Sequence, residues 1–111
     1  MRAVQLAKGA LRTGIELLCR QNNIQRPSKI LLAGAFGSYI NKADALHIGM
    51  FPMMPEEDIE VVGNAAGAGA IFAVCDDAYF RASKDLAKRT KVFDLAAYPG
   101  FQNTFIEHLS F

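Results

Sequence analysis

Two glycine-containing turns, each directly after a short predicted strand that ends in apolar residues, are the places where residue types and spacing favour chemistry. Gly34–Ser38 follows the run Lys29–Ala33, and Gly63 with Asn64 follows Asp58–Val62. A strand that ends in glycine and leads into a helix lets backbone N–H groups and the helix dipole approach a ligand without an intervening side chain. The pattern predicts either two ligand-binding turns or two tight structural turns.

Neither turn matches the common nucleotide-binding patterns. Gly34–Ser38 fits neither GxxxxGK[ST] nor GxGxxG, and Gly-Lys-Ser and Gly-Lys-Thr do not occur in the chain. Asn64 suits capping of the helix that follows better than ligand binding, although an amide at a helix start can do both. Gly67 and Gly69 suit close packing somewhat better than contact with a base or ribose. The residues alone leave both interpretations open at each turn.

No catalytic or metal-binding group is predicted. His47 and His108 lie on separate short amphipathic helices and have no paired carboxylate motif. Cys19 and Cys75 are too far apart for a CxxC motif and too few for a four-thiolate cluster, so we expect small buried thiols. Any iron–sulfur centre must therefore lie elsewhere. The carboxylates show no paired spacing typical of acid–base catalysis.

Composition narrows the class of protein. The 111 residues suit one domain, and a formal net charge of +1 provides no field that would attract nucleic acid or an anionic membrane. The longest apolar stretch, Val61–Cys75, is interrupted by Asn64 and is too short to span a bilayer comfortably. No leader follows Met1, so cytoplasm is the expected location. The 51% share of hydrophobic residues favours a tightly packed interior or a face meant for another domain.

The first element is predicted to be a helix from Arg2 to about Gln21. Its apolar stripe recurs every three or four residues, which is typical of a helix packed on one side. The stripe consists of Val4, Ala7, Leu11, Ile15 and Leu18. Arg12, Glu16 and Arg20 have the spacing to pair along another face. Because no cap precedes Arg2, we expect the chain to begin at, or inside, an element that a longer protein would lead into.

The middle of the chain predicts an α/β fold with short, mostly parallel strands and flanking helices. Lys29–Ala33 is nearly continuous in apolar residues, which is typical of a strand buried on both faces. A short helix should begin at an Asn41 cap and end at Gly49. The second strand, Asp58–Val62, should lead into a helix over Ala65–Val74.

The last third is predicted to hold two helices and a strand. Asp77 is expected to cap a helix over Ala78–Arg89, and Lys91–Leu95 is a plausible strand after it. Pro99 and Gly100 should introduce the final helix. One face of that helix carries an apolar stripe of a kind that is usually a docking surface: Phe101, Phe105, Ile106 and Leu109.

Taken together, the segments Ile30–Ile40, Ala45–Gly49 with Pro52, and Val62–Ala70 resemble the C-terminal domain of the ATP-dependent reductive activators of corrinoid proteins. Further similarities are Gln5–Ala10, Thr13–Ile15, Phe101, Phe105 and Phe111. The resemblance covers essentially all of the chain, so residues 1–111 are interpreted as a single C-terminal ATPase subdomain of a longer parent protein.

The resemblance implies part of an actin-like (ribonuclease H-like) ATPase lobe, from the superfamily of acetate and sugar kinases, heat-shock 70 chaperones and actin. Such activators use ATP and an iron–sulfur centre to reduce an inactive Co(II) corrinoid to Co(I). ATP with Mg would be shared with a lobe missing from this chain, and the cluster would lie in the parent's N-terminal domain. The implied partners are a corrinoid protein and those missing N-terminal domains.

In that superfamily the strand, loop and helix near the C-terminus hold adenosine, mainly through the backbone. The implied binding residues are Gly34, Ala35, Phe36, Gly37 and Ser38 first, then Gly63 and Asn64, with no catalytic residue in this chain. A rival is the ATPase activator of 2-hydroxyacyl-CoA dehydratases, which would need a bridging-cluster cysteine motif that the chain lacks. Another is a nucleotide-free module whose phenylalanine stripe docks a corrinoid protein or forms a homodimer.

Overall fold

The computed structural model describes residues 2–111 and has the predicted α/β character, with two parallel strands and flanking helices. The elements are α1 (Arg2–Gln21), β1 (Ile30–Ala33), α2 (Gly34–Tyr39), α3 (Lys42–His47), β2 (Ile59–Gly63), α4 (Ala65–Cys75), α5 (Asp77–Arg89) and α6 (Phe101–Glu107), with 3-10 turns at Glu56–Asp58 and Leu95–Ala97.

Two compact units make up the chain. Unit 1 contains the residues up to Ile30, Ile40–Glu60 and Asp94–Phe111, and unit 2 contains Leu31–Tyr39 and Val61–Phe93. This division into compact units does not test the prediction that residues 1–111 form a single domain, which stays a prediction.

Helix α1 has the predicted bounds, but the face that it buries was predicted wrongly. Of the expected stripe, Val4, Leu11 and Leu18 are exposed. The residues that α1 buries instead are Lys8, Gly9, Thr13, Gly14 and Leu17. A Cβ added at Gly9 would lie 3.1 Å from Leu109 Cδ2, so the glycine lets α6 approach closely. Packing of the Leu109 and Phe105 side chains against Gly9 therefore selects the glycine face. Met1, which would precede the first turn, lies outside the described residues.

Buried hydrophobic side chains among the described residues all belong to unit 1: Leu17, Ala45, Met50, Phe51, Met54 and Ile59. Long basic side chains satisfy carbonyl groups around this core. Arg12 Nη1 donates to Phe51 O at 2.9 Å, and Lys42 Nζ donates to Ile59 O at 3.0 Å. The Arg12 bond holds the Pro-rich connection between α3 and β2 in place, and the Lys42 bond joins α3 to the start of β2, because buried backbone carbonyls need a partner.

Glu16 links α1 to the end of α6. Its carboxylate forms an ion pair with His108 Nε2 and a 2.8 Å ion pair with Arg20. Arg12, which has the spacing to pair with Glu16, donates instead to Phe51 O. Burial raises the pKa of Glu16, but the hydrogen bond and charge of His108, with Arg20 and Arg12, outweigh it and hold the pKa below its ordinary value. The interactions of Glu16 with His108 and Arg20 therefore stabilise the folded chain more when Glu16 is ionised.

This lowered pKa predicts a loss of stability in acid. The contribution is fully present above the unfolded pKa of about 4.3 and disappears as pH falls through the lower folded value. We expect Glu16→Gln to reduce this acid dependence, by about 1 kcal/mol or less for a partly exposed pair. Urea unfolding between neutral and acid pH measures it. The control Glu107→Gln, an exposed neighbour on α6, should retain the wild-type dependence, and equal dependence in both variants would contradict the assignment.

The third and final helices follow local signals. Asn41 Oδ1 accepts from Asp44 N at 3.0 Å and caps α3, as predicted, and Gly49 takes a positive φ just past its end. Gly100, with φ +88°, precedes α6. Part of the apolar stripe of α6 packs within the chain, because a Cβ added at Gly9 would lie 3.3 Å from Phe105. Ile106 of the same stripe is 62% exposed, and docking of the stripe on another protein stays a prediction.

Unit 2 departs from the predicted burial. β1 was expected to be buried on both faces, yet its residues alternate between half-buried and exposed, and Leu31 is 59% exposed. The reason is that the sheet has only two strands in the described part of the chain, so few side chains pack over the two faces of β1. Cys75, expected to be buried, is exposed, and Cys19 is half-buried.

Two local predictions after α4 were wrong. Asp76 rather than Asp77 caps α5, accepting from Ala78 N at 2.8 Å. Lys91–Leu95 is not a strand, because it meets no partner strand in the described part of the chain and ends in a 3-10 turn. No helix among residues 2–111 has the length and apolar character needed to cross a membrane.

Candidate functional site

The two glycine turns lie at the same edge of the sheet. β1 leads into α2 through Gly34, with φ +82°, and β2 leads through Gly63, with φ +66°, to Asn64 and α4. A positive φ is readily adopted by glycine and costs energy for other residues. Because parallel strands end at one edge, both chain reversals occur side by side. The segment Gly34–Ser38, predicted as a loop, is a helical turn, since α2 begins at Gly34 itself.

A cavity of about 390 Å³ lies between these turns. Its lining residues are Gly34, Ala35, Ser38, Tyr39 and Asn64. The structure thus brings four of the seven predicted binding residues to one place. Phe36, Gly37 and Gly63 do not line the cavity: the Phe36 side chain is 54% exposed, and Gly37 is buried.

Gly37 instead packs against Leu32 in β1, away from the cavity lining. A Cβ at this position would lie 2.9 Å from both Leu32 Cβ and Leu32 O. Real Cβ atoms do not come so close to backbone oxygen, so only glycine lets α2 pack directly on the end of β1. This contact fixes α2, and with it the lining residues Gly34, Ala35 and Ser38, relative to the strand.

Tyr39 was not among the predicted site residues. It lies four residues after Ala35, so a helix that starts at Gly34 places both on one face. The prediction of a loop over Gly34–Ser38 concealed this spacing. Helical continuation from the glycine would have been the signal that identifies Tyr39.

Only the side-chain oxygen of Asn64 forms a hydrogen bond within the described part of the chain. Its Oδ1 accepts a hydrogen bond from Gly67 N at 2.9 Å and caps α4, as predicted. Its Nδ2 makes no hydrogen bond among those of the described residues, so a donor remains at the cavity wall. The amide can therefore cap the helix and offer N–H to a ligand oxygen at the same time.

Gly67 leaves room for the Asn64 cap. A Cβ at Gly67 would lie 2.9 Å from Asn64 Cγ and closer still to Nδ2, whereas a Cβ at Gly69 would meet no atom within 4 Å. The two glycines of α4 therefore differ in purpose. Gly67 accommodates the amide, and Gly69 lies on an open helix surface.

This difference predicts that glycine-to-alanine substitution has different effects on stability at the two positions. We expect Gly67→Ala to displace the Asn64 side chain, so that the lost cap, about 1 kcal/mol, offsets the gain in helix propensity. Gly69→Ala serves as the control and should stabilise α4 by up to about 1 kcal/mol. Denaturant unfolding followed by circular dichroism compares the two variants. Equal stabilisation in both would contradict the role of Gly67.

The cavity chemistry suits binding better than catalysis. No carboxylate, imidazole, thiol or basic side chain is among its five lining residues. Its polar groups are the Ser38 hydroxyl, the Tyr39 phenol, the Asn64 amide and the backbone. Among residues 2–111, no group of three or more His, Cys, Asp or Glu side chains could hold a metal ion.

A family model described as the C-terminal domain of RACo, the ASKHA domain, matches residues 1–111. The chain belongs to this family. The corrinoid activation enzyme RamQ of Eubacterium limosum is 34% identical over 113 aligned residues, which cover the whole chain and 19% of RamQ. The chain therefore spans about a fifth of the length of this curated relative.

Membership in the RACo C-terminal family confirms the resemblance to corrinoid activators and the ASKHA fold class. The match favours this family over the activators of 2-hydroxyacyl-CoA dehydratases.

Proposed function

We propose that this chain is the ATP-binding C-terminal subdomain of a reductive activator, which uses ATP to drive reduction of a Co(II) corrinoid protein to Co(I). The observation that carries the proposal is the cavity at the ends of two parallel strands, with glycine at both turns, in a chain of the RACo C-terminal family. The name of RamQ, a corrinoid activation enzyme, supports the same role.

The cavity would receive the adenosine of ATP. Gly34 and Ala35 place backbone against the ligand with little or no side chain between. The free Nδ2 of Asn64 would donate to an acceptor oxygen of the nucleotide, and Ser38 adds a hydroxyl. Mg and the phosphates would be held jointly with a second lobe of the parent, because the lining residues include no basic side chain or carboxylate.

Electron supply would come from outside this chain. Reduction of Co(II) to Co(I) takes one electron, and an iron–sulfur cluster with cysteine ligands requires about four thiolates. Cys19 and Cys75 are the two cysteines of the sequence and lie in different units. A cluster would therefore lie outside this chain, and the resemblance to corrinoid activators implies the parent's N-terminal domain, while this subdomain contributes to nucleotide binding.

A substitution that retains the helix cap tests the proposal in the full-length parent. Asn64→Ser preserves capping, since serine caps about as well as asparagine, but removes the Nδ2 donor. We expect kcat/KM for ATP in Co(I) formation, followed by visible absorbance, to fall about tenfold, the effect of one hydrogen bond to a charged or polar group. The matched control is Asn41→Ser, at the cap of α3. Equal losses in both variants would contradict the proposal.

Docking is a second candidate function, favoured by the exposed apolar surface of unit 2. An open groove of about 330 Å³ between α4 and α5 is lined by Gly69, Phe72, Tyr79, Ala82, Ser83 and Leu86. Helix α4 is apolar on all sides, a pattern typical of a buried helix, yet none of its residues is buried in this chain. The rest of the parent or a second copy would cover it. Dimerisation of the isolated chain that Leu86→Asp abolishes, without any response to ATP, would favour this function.

A further inference from the structure

Tyr39 is the lining residue to which the proposed function gives no role. It is the last residue of α2 and is 89% exposed. No hydrogen bond or ring contact of Tyr39 occurs among those of the described residues, in contrast to the stacked pair Phe72 and Tyr79. An aromatic ring left in water beside a cavity has both faces available for a planar partner.

The rest of the lining contributes little surface. Gly34, Ala35 and Ser38 carry at most a hydroxymethyl group, so Tyr39 supplies the one large apolar face among the five lining residues. The Ser38 hydroxyl already contacts Gly34 O at 3.4 Å. The lining therefore combines one flat aromatic surface with the donor of Asn64, an arrangement suited to a ligand with a planar ring and a polar remainder.

We propose that Tyr39 stacks on the base of the bound nucleotide and thereby positions it in the cavity. This inference rests on the proposed function. Stacking uses the π-face that every base has, so it discriminates little between adenine and guanine. Tyr39 accordingly contributes equally to ATP and GTP binding and contributes nothing to a triphosphate without a base.

Three ligands and two variants separate stacking from other effects. Dissociation constants for ATP, GTP and inorganic tripolyphosphate, each with Mg, are measured by titration calorimetry in the full-length parent, whose second lobe would hold the phosphates, for the wild type, Tyr39→Phe and Tyr39→Ala. Tyr39→Phe retains the ring and should bind ATP within about twofold of wild type. Tyr39→Ala should weaken ATP and GTP alike, by about tenfold. Tripolyphosphate binding should be the same in all three proteins.

A fluorescent variant gives an independent measurement. The chain contains no tryptophan, so Tyr39→Trp introduces a single indole at the cavity. ATP and GTP should quench its emission by stacking, and tripolyphosphate should leave it unchanged.

The outcomes distinguish this inference from the proposed function. If ATP shifts the Gly34 and Asn64 amides of the wild type but Tyr39→Ala binds ATP with unchanged affinity, stacking is overturned and the proposed function stands. An equal loss of tripolyphosphate binding in Tyr39→Ala also overturns stacking, because the effect would then be on the fold. If ATP shifts neither amide in the wild type, both are overturned.

Discussion

Gly37→Ala is expected to destabilise the chain by about 2 kcal/mol and to disturb the candidate cavity. The added methyl group would lie 2.9 Å from Leu32 Cβ and Leu32 O, so helix α2 has to move away from β1. Forced insertion of a methyl group into a packed contact typically costs about 1–3 kcal/mol. Urea unfolding measures the loss, and amide exchange should show faster opening of α2 than of α1.

A double substitution tests the cause. Leu32→Ala shortens the leucine but retains its Cβ and carbonyl oxygen, which are the two atoms nearest the added methyl group. We therefore expect Leu32→Ala to leave the Gly37→Ala defect in place. Full rescue in the double variant would show that the outer leucine side chain, rather than the backbone, sets the limit.

Lys8→Met is expected to have the second large effect, a loss of about 2 kcal/mol. The Lys8 side chain is buried, with 3% of the residue exposed, and Nζ donates to His108 O at 2.6 Å and Ser110 O at 2.5 Å. Methionine fills a similar volume but leaves both carbonyl groups without this donor, and each buried unsatisfied group costs about 1–3 kcal/mol. Removal of a buried charge offsets part of that cost.

The pKa of Lys8 gives the sign of that offset. Burial, with the nearby charge of Arg12, holds the pKa below its ordinary value, so the charged form is less favoured in the folded state. The folded chain therefore gains stability as pH rises from the lowered pKa towards that of the unfolded chain, and Lys8→Met should lack this gain. Urea unfolding at neutral and alkaline pH measures both effects.

Lys29→Met is the matched control. Lys29 forms one exposed ion pair, 3.3 Å from Glu60, and such pairs contribute between about 0 and 1 kcal/mol. A Lys8→Met protein as stable as the control would mean that the cost of burying the ammonium group equals the benefit of its two hydrogen bonds. That outcome would contradict the structural role of Lys8 in joining α1 to the end of α6.

Local signals predicted most of the elements. Asn41 and Asn64 cap their helices as their residue types and spacing indicate, and both strands lie within a residue of their predicted bounds. Predictions that depended on partners elsewhere in the chain were wrong. Lys91–Leu95 has strand-forming residues, but no described strand pairs with it. Strand formation requires a neighbour, which a local pattern does not specify.

The packing of helices against one another also limited what could be predicted from the sequence. The apolar stripe of α1 predicted burial of its largest side chains, but the side chains of Phe105 and Leu109 pack against Gly9. Large side chains exclude close helix approach, so interhelical geometry outweighs hydrophobicity here. The candidate site was partly predictable for a related reason: glycine marked both turns, but Tyr39 emerged only once α2 was known to begin at Gly34.

An amide-resolved NMR titration of this chain with Mg-ATP tests the central claim most directly. The account predicts shifts concentrated at Gly34–Ser38, Tyr39 and Asn64, with the amides of α1 and α6 unchanged. Asn64→Ser should weaken the response, and Asn41→Ser should not. Shifts elsewhere in the chain, or none at these residues at millimolar ATP, would contradict an adenosine site in this cavity.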